Sequence, residues 1–475
     1  MDAGVDAAMD AGEDAGVDAA TDAGEGVPCG APGDCSAPDV VTADCVAGRC
    51  EIVTCATGRE SCDGDFATGC ERDLQTDPDH CGVCAGDCGL GGACTAGECD
   101  TVIDVGIGHE NLCVTRSSGA VFCAGENVRG EAGIGVTGTL AVYSPLREVM
   151  MLDDATSTSV GYALAFAVRG TGGAVCMGNN AYGQVGSGST GDLETLPDPV
   201  SGLTDVEQVS AGGQRDRGLP SVLGQEYEGF ACALRTGGVV SCWGSEYGRG
   251  DGLSGDTNVP VTVSGAADVV DVSAGYEHAC LVRSSGEVAC WGRMGARLGA
   301  AGETADLAVP TAVAGITDAV RVDVGQVHSC AVRRGGQVVC WGDNANSELG
   351  ADSTTTPASA TPVAVPVIAN AIDVDVGPLT SCALGSGGEV WCWGGDGSGR
   401  LGDGPAGPTT TATPVRLADL DATALAVGLH ALCAIRRDGA VVCWGAEPRE
   451  LGLLDFSSAW TVPTLHPEFP PTPTP

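Results

Sequence analysis

A cysteine pair with nine intervening residues recurs along this chain, and nothing else in the sequence limits the fold as strongly. The complete copies are Cys113/Cys123, Cys232/Cys242, Cys280/Cys290, Cys330/Cys340, Cys382/Cys392 and Cys433/Cys443. A seventh copy has lost its first cysteine and reads Phe166/Cys176. Successive copies start 53, 66, 48, 50, 52 and 51 residues apart. Self-similarity at that period means a propeller, a solenoid or an array.

Each unit opens on apolar alternation, as at Val320/Val322, Ile372/Val374, Ile103/Val105 and Val270/Val272. A period of two predicts a strand. A glycine follows, as at Gly325 and Gly377, and then the cysteine segment. That segment reads as a hairpin. Pairing Cys330 with Cys340 sets Val332 opposite Val338 and leaves residues 334–336 for the turn. The third turn position is glycine in every copy: Gly119, Gly172, Gly238, Gly286, Gly336, Gly388 and Gly439. A three-residue hairpin loop needs a left-handed residue there, which glycine supplies without steric cost. Two cysteines directly across a ladder are within reach of a disulfide. A two-helix disulfide hairpin is disfavoured by the paired glycines and by Val-Val beside the second cysteine. A tryptophan follows the second cysteine at Trp243, Trp291, Trp341, Trp393 and Trp444, replaced by Ala124 and Met177 in the first two copies. Trp391, beside the pair, is read as blade packing. Leu-Gly and a short strand around a proline close the unit. Four short strands in each of seven units predict an all-β, seven-bladed β-propeller of about 50-residue repeats.

The repeats span 101–465. Residues 1–26 are Asp-Ala-Gly low-complexity sequence with eight acids and no base. Such a segment buries little and repels itself, so a disordered spacer is expected. Residues 27–100 hold twelve cysteines and no period long enough to predict an element. An even count in a loop-rich segment reads as up to six disulfides of undetermined connectivity. Zinc at Cys81-Gly-Val-Cys84 lacks a second pair at ribbon spacing. A calcium loop at Cys62-Asp-Gly-Asp65 has Leu74 where the twelfth-position glutamate belongs. No cofactor is therefore expected, with calcium the one candidate left open. Residues 466–475 are a proline-rich tail.

Net charge is −41, of which −22 lies beyond residue 100. Phosphate backbones would be repelled, so nucleic acid is not an expected partner. The chain has 22 arginines and no lysine, which suggests a GC-rich bacterial genome. Twenty-five cysteines suggest an oxidising compartment. The opening Met1-Asp2-Ala3-Gly4 shows no leader, so a start site placed too late is suspected. No apolar stretch reaches membrane-spanning length.

The string from His278 to Gly292, and that from Val327 through Trp341-Gly342-Asp343-Asn344 to Leu349-Gly350, resembles the regulator of chromosome condensation repeat. The resemblance covers about residues 101–465. It implies a seven-bladed β-propeller closed by pairing elements from the two ends of the repeat region. The cysteine-bearing form resembles repeats of secreted bacterial proteins, and residues 62–99 resemble a cysteine-rich module of bacterial surface proteins. The family's nucleotide-exchange role on a small GTPase and its chromatin docking fit neither the charge nor the apparent export. The family's histidines match only at His278 and His328, read here as structural hydrogen-bonders.

No nucleophile motif, phosphate loop or zinc-protease helix appears. The chain is accordingly expected to be a non-enzymatic, monomeric, extracellular or cell-surface scaffold that binds a protein or a glycan. The alternative is an inhibitor of an extracellular enzyme, which would present a dense patch of exposed aromatics on one face. A propeller enzyme would need acids or histidines gathered at the central channel. Cys176 is read as a buried free thiol, against an intermolecular or redox role. The third repeat carries about fifteen extra residues between Gly212 and Cys232, including Arg215, Arg217, Tyr227 and Phe230. Loops on a rigid scaffold often carry binding, so these four are the candidate partner contacts.

Overall fold

The computed structural model describes residues 28–471 except 29–30, 33–34, 47–48, 63–69, 71, 81–87, 89–93, 96–97, 110, 138–142, 192, 216–226, 294–297, 300–304, 398, 406, 408, 418, 446–450 and 452–459. The spacer 1–26 and Cys81–Cys84 lie outside the described residues, as does most of the calcium-loop frame. The chain divides into two compact units, 1–75 and 76–475.

In the first unit Val40–Val46 pairs antiparallel with Arg49–Cys55. This hairpin was not legible from periodicity. The run Val40-Val41-Thr42 supplies β-branched residues, but Arg49–Cys55 buries no continuous face, so no alternation marks it. Disulfides Cys35–Cys50 and Cys55–Cys70 tie its ends, and Cys45 and Cys62 are also disulfide-bonded.

The second unit holds seven four-stranded antiparallel sheets, each the contiguous product of one repeat. The fifth is typical. Ala319–Val324 is innermost, followed by His328–Arg333, Val338–Asp343 and Ala358–Ala364. The other innermost strands are Val102–Ile107, Ala155–Val160, Val206–Ala211, Val269–Ala274, Ala371–Val376 and Ala422–Val427. Cys330 lies opposite Cys340 and Val332 opposite Val338.

The six complete pairs are disulfides in the structure: Cys113–Cys123, Cys232–Cys242, Cys280–Cys290, Cys330–Cys340, Cys382–Cys392 and Cys433–Cys443. Each has its Cα atoms 4.1 Å apart. The second members Cys123, Cys242, Cys290, Cys340, Cys392 and Cys443 lie on the third strand of their blades and are at most 1 % exposed. Two residues beyond each of them stands a glycine of positive φ, at Gly125, Gly244, Gly292, Gly342, Gly394 and Gly445. Between cysteine and glycine the register with the fourth strand slips, a bulge that glycine accommodates. This explains the glycine that follows the tryptophan position in every copy.

The turn glycines all have positive φ, from 75° at Gly238 to 91° at Gly119 and Gly286. They also join blades: the carbonyl of Gly336 accepts from Ala371 N–H, and that of Gly388 from Ala422 N–H.

One implication of the family resemblance is corrected. Among the described residues no sheet mixes strands from the two ends of the repeat region. The last blade, whose outer strand is Trp460–Leu465, meets the first through packed side chains instead. The physical reason is that the first repeat supplies its own outer strand, Tyr143–Glu148, so neither end blade needs a donated one.

A girdle of seven glycines closes the ring. A Cβ on any one of Gly108, Gly161, Gly212, Gly275, Gly325, Gly377 or Gly428 would fall within 3.1 Å of the carbonyl oxygen of the next in cyclic order. Outside the girdle, the tryptophans cross each joint. The indole N–H groups of Trp243, Trp291, Trp393 and Trp444 donate at 2.8–3.0 Å to carbonyls of Gln184, Gly248, Glu348 and Arg400 in the preceding blade. In the second blade Phe166 takes the place of the missing cysteine, opposite Cys176 and edge-on to Trp243. Trp391 is buried in the joint between blades five and six.

Residues 76–100 belong to the propeller's unit. Cys88–Cys99 is a disulfide there, and Cys94 is also disulfide-bonded. Buried Arg116 donates to the carbonyls of Asp100 and Cys88, and its guanidinium lies 5.6 Å from the ring centroid of Phe469. Phe469 and His466, in the C-terminal segment, are themselves buried.

Two outcomes follow from this packing. Gly325→Ala should destabilise the propeller by about 2–3 kcal/mol. Gly335→Ala, where nothing lies within 4 Å, should change it by less than about 0.5 kcal/mol; denaturant titration compares them. Cys176, fully buried with its thiol pKa pushed well above the ordinary value by burial, should react with a thiol reagent only after denaturation.

Candidate binding face at the channel mouth

Each innermost strand is a sheet edge facing the central channel, so half of its backbone groups lack a ladder partner. The structure satisfies edge amides with side chains from the preceding blade. Asp104 accepts from Thr158 N–H at 2.7 Å, Asp271 from Val322 N–H at 2.8 Å and Asp323 from Val376 N–H at 2.6 Å. Ser159, Ser210 and Ser273 do the same for Ala211, Ala274 and Val324 at 2.9–3.1 Å, and Asp375 does so for Val427. Serine and aspartate thus share one task, which requires an acceptor rather than a charge. At the corresponding positions the last blade has Ala424 and Ala426, which offer none.

Burial acts on the carboxyls of this ring. It raises Asp271 to about 6 and Asp323 to about 7. Asp375 rises well above the ordinary range through burial and repulsion from Asp323 and Asp373. His328 is pushed down to about 3 by burial. Its Nε2 meets Ser381 Oγ at 2.7 Å, and His278 Nε2 meets Ser329 Oγ at 2.9 Å. Both histidines tie adjacent blades together.

One end of the channel opens as a funnel. Its wall carries Ile107, Val160, Ala211, Ala274, Val324, Val376 and Val427, then the glycine girdle, then the residues just beyond it. Those residues include His109, Tyr162, Gly213, Tyr276, Pro378 and Leu429. His109 and Tyr162 lie 4.2 Å apart by ring centroid, His109 and His430 6.0 Å, and Tyr162 and Tyr276 6.4 Å. Sequence reasoning missed this cluster. The signal is the residue after each girdle glycine, visible once the repeats are aligned on that glycine rather than on the cysteines. None of the twelve blade cysteines is among the lining residues. Their part is to hold the blades that carry the funnel.

The described stem of the third-repeat insertion starts at the same end. Gly212 and Gly213 line the funnel, and the next residues start a two-stranded ribbon in which Gln214 faces Glu228 and Arg215 faces Tyr227. Arg217 lies outside the described residues. Phe230 must be withdrawn from the candidate contacts. It is 1 % exposed and begins the blade's second strand, where its ring packs on Gly248. The alternation that buries Ala231, Cys232 and Ala233 already includes it. Among the described residues no group of three or more histidine, cysteine, aspartate or glutamate side chains is arranged to hold a metal, and no helix is long and apolar enough to cross a membrane.

The regulator of chromosome condensation (RCC1) repeat matches residues 269–296 and 319–348. No curated protein matches the chain. Among solved structures, yeast RCC1 (Prp20) bound to Kap60 is similar at 20 % identity over 73 % of this chain and 83 % of that one, TM-score 0.61. Prp20p from Saccharomyces cerevisiae, described with its binding properties to Gsp1p and histones, is similar at 18 % identity over 74 % and 86 %, TM-score 0.61. Human WBSCR16 is similar at 19 % identity over 71 % and 88 %, TM-score 0.59. The fold is shared with these proteins: seven antiparallel sheets of four strands at about 50-residue spacing. The expectation of a secreted bacterial variant is overturned by them. The similar structures are yeast and human proteins, and the bacterial source and the extracellular or cell-surface location are withdrawn. The physical reason is that composition and cysteine content report on codons and on covalent chemistry, neither of which addresses a protein to a place.

The channel carboxyls make stability depend on pH. A raised folded-state pKa means that the folded protein holds its proton longer than the unfolded chain. For Asp323 the contribution is full below 3.8 and is lost as pH rises through about 7. His328 acts oppositely, its contribution being lost as pH falls below 6.5. Asp323→Asn should therefore gain stability relative to the parent between pH 5 and pH 8, read as denaturant midpoints at the two values. An unchanged difference would mean that Asp323 does not titrate in that window.

Proposed function

We propose that the chain is a non-enzymatic propeller scaffold that binds a partner protein at the funnel end of its channel. The observation that carries this reading is coincidence of place. The paired stem of the insertion that breaks the repeat and the aromatic cluster of the channel meet at the same mouth, joined through Gly212 and Gly213. The described binding of Prp20p to Gsp1p and histones, and of RCC1 to Kap60, supports protein binding as a use of this fold. The channel aspartates meet the positional requirement set for an enzyme. Serines replace them joint by joint in the same hydrogen bonds, which favours stapling over catalysis. The inhibitor reading asked for a dense patch of exposed aromatics. Here Tyr162 is 8 % exposed and the cluster turns into the funnel, so that reading gains no support. The charge of −41 continues to argue against nucleic acid.

The test replaces 216–226 with Asn-Gly, which keeps the paired residues Arg215 and Tyr227 as hairpin flanks. Partner capture from lysate, read by mass spectrometry, should fall at least tenfold while the melting temperature stays within a few degrees. Full capture by the shortened protein would refute this face.

A further inference from the structure

We infer that the funnel receives a cationic side chain, an arginine, presented by the partner protein. This rests on the binding face proposed above and names the chemistry that it selects. The funnel has a cavity volume of about 80 Å³ and opens to solvent. Its inner wall is a ring of valine, isoleucine and alanine side chains. Its rim is aromatic: His109 and Tyr162 are in close contact, with Tyr276 beside Tyr162. No aspartate, glutamate, lysine or arginine is among its described lining residues.

Three physical arguments select the occupant. An aromatic face carries a negative quadrupole and attracts a cation, and guanidinium is planar, weakly hydrated and able to stack. The surroundings are negative: the residues beyond 100 together carry −22. An anionic side chain would be repelled there, and a neutral apolar one would gain area alone. The molecule also uses this pairing elsewhere. Arg293 lies 4.8 Å from the ring centroid of Tyr247 while donating to Glu277 at 2.7 Å, and buried Arg116 lies over Phe122 and Phe469. Glu277 is the residue next to Tyr276, so one such arrangement borders the funnel.

The experiment uses the full chain and three fluorescein-labelled peptides of sequence Gly-Ser-X-Gly-Ser-X-Gly-Ser, with X arginine, lysine or citrulline. Citrulline keeps the shape and removes the charge. Anisotropy at 0.15 M salt should show the arginine peptide binding at least tenfold more tightly than the citrulline peptide and more tightly than the lysine peptide. Tyr276→Leu and His109→Ala should each weaken arginine-peptide binding about three- to tenfold. The imidazole resonances of His109 should shift on titration with the arginine peptide in the unmodified protein. Equal binding of the citrulline peptide, or binding unchanged by both substitutions with no imidazole shift, would overturn the proposal. The latter pattern would describe a generally acidic surface. If these arms fail while deletion of 216–226 still abolishes partner capture, the face stands and its cation selectivity falls. If the deletion has no effect while the peptide arms succeed, the funnel binds without the ribbon.

Discussion

Seven glycines touching in a circle set the dimensions of this molecule. At six of the seven girdle positions the backbone lies against the next carbonyl closer than a Cβ would allow, and at Gly161 the fit is tight. This contact fixes how near the innermost strands approach, and so the width of the channel and the tilt available to each blade. Any weak hydrogen bonding in contacts of this kind contributes little individually. Their importance is steric: they are the narrowest point of the ring, and the hydrophobic joints farther out fill the wedge that they define. Tryptophans fill the wide part of that wedge at five joints, and Met177 fills it at another.

The second demand is electrostatic. A propeller leaves seven strand edges facing inward, and buried amides without partners are costly. The acceptors come from the preceding blade, which couples the satisfaction of each edge to the presence of its neighbour. A blade of this kind is incomplete alone. Its cysteine bridge secures the hairpin, but its inner edge and its indole both need an adjoining unit. Stability is thereby divided between covalent bonds within blades and polar and apolar contacts between them.

Much of this was legible in the sequence, for stated reasons. The Cys330/Cys340 register followed from the turn glycine, because only one hairpin geometry fits both. The blade number followed from the count of copies. The polar staples were not legible. Asp323 and Ser273 occupy alternate positions of strands whose apolar residues, such as Val322, carried the periodicity argument, and the polar alternates looked like ordinary solvent-facing positions. The aromatic funnel was hidden for a different reason: His109, Tyr162 and Tyr276 are separated by more than fifty residues, and the same position in the other repeats is not aromatic. Phe230 was misplaced because the insertion was bounded by the cysteine rather than by the strand that begins two residues earlier.

The joint between the last and first blades differs in kind from the other six. Ala424 and Ala426 cannot accept the hydrogen bonds that aspartate and serine accept elsewhere, and Ala124 supplies no indole. Among the described residues no sheet spans the joint, and the chain does not cross it as a short linker. What stands there instead is Arg116 between Phe122 and Phe469, with the C-terminal segment bonded along Val441. The ring therefore has a seam with its own clasp. A closed circle of seven equivalent joints would have to strain everywhere in order to open. This one has a single joint that lacks both the staples and the indole found at others, and the segment after the last strand, far from being an appendage, adds buried Phe469 to the packing there.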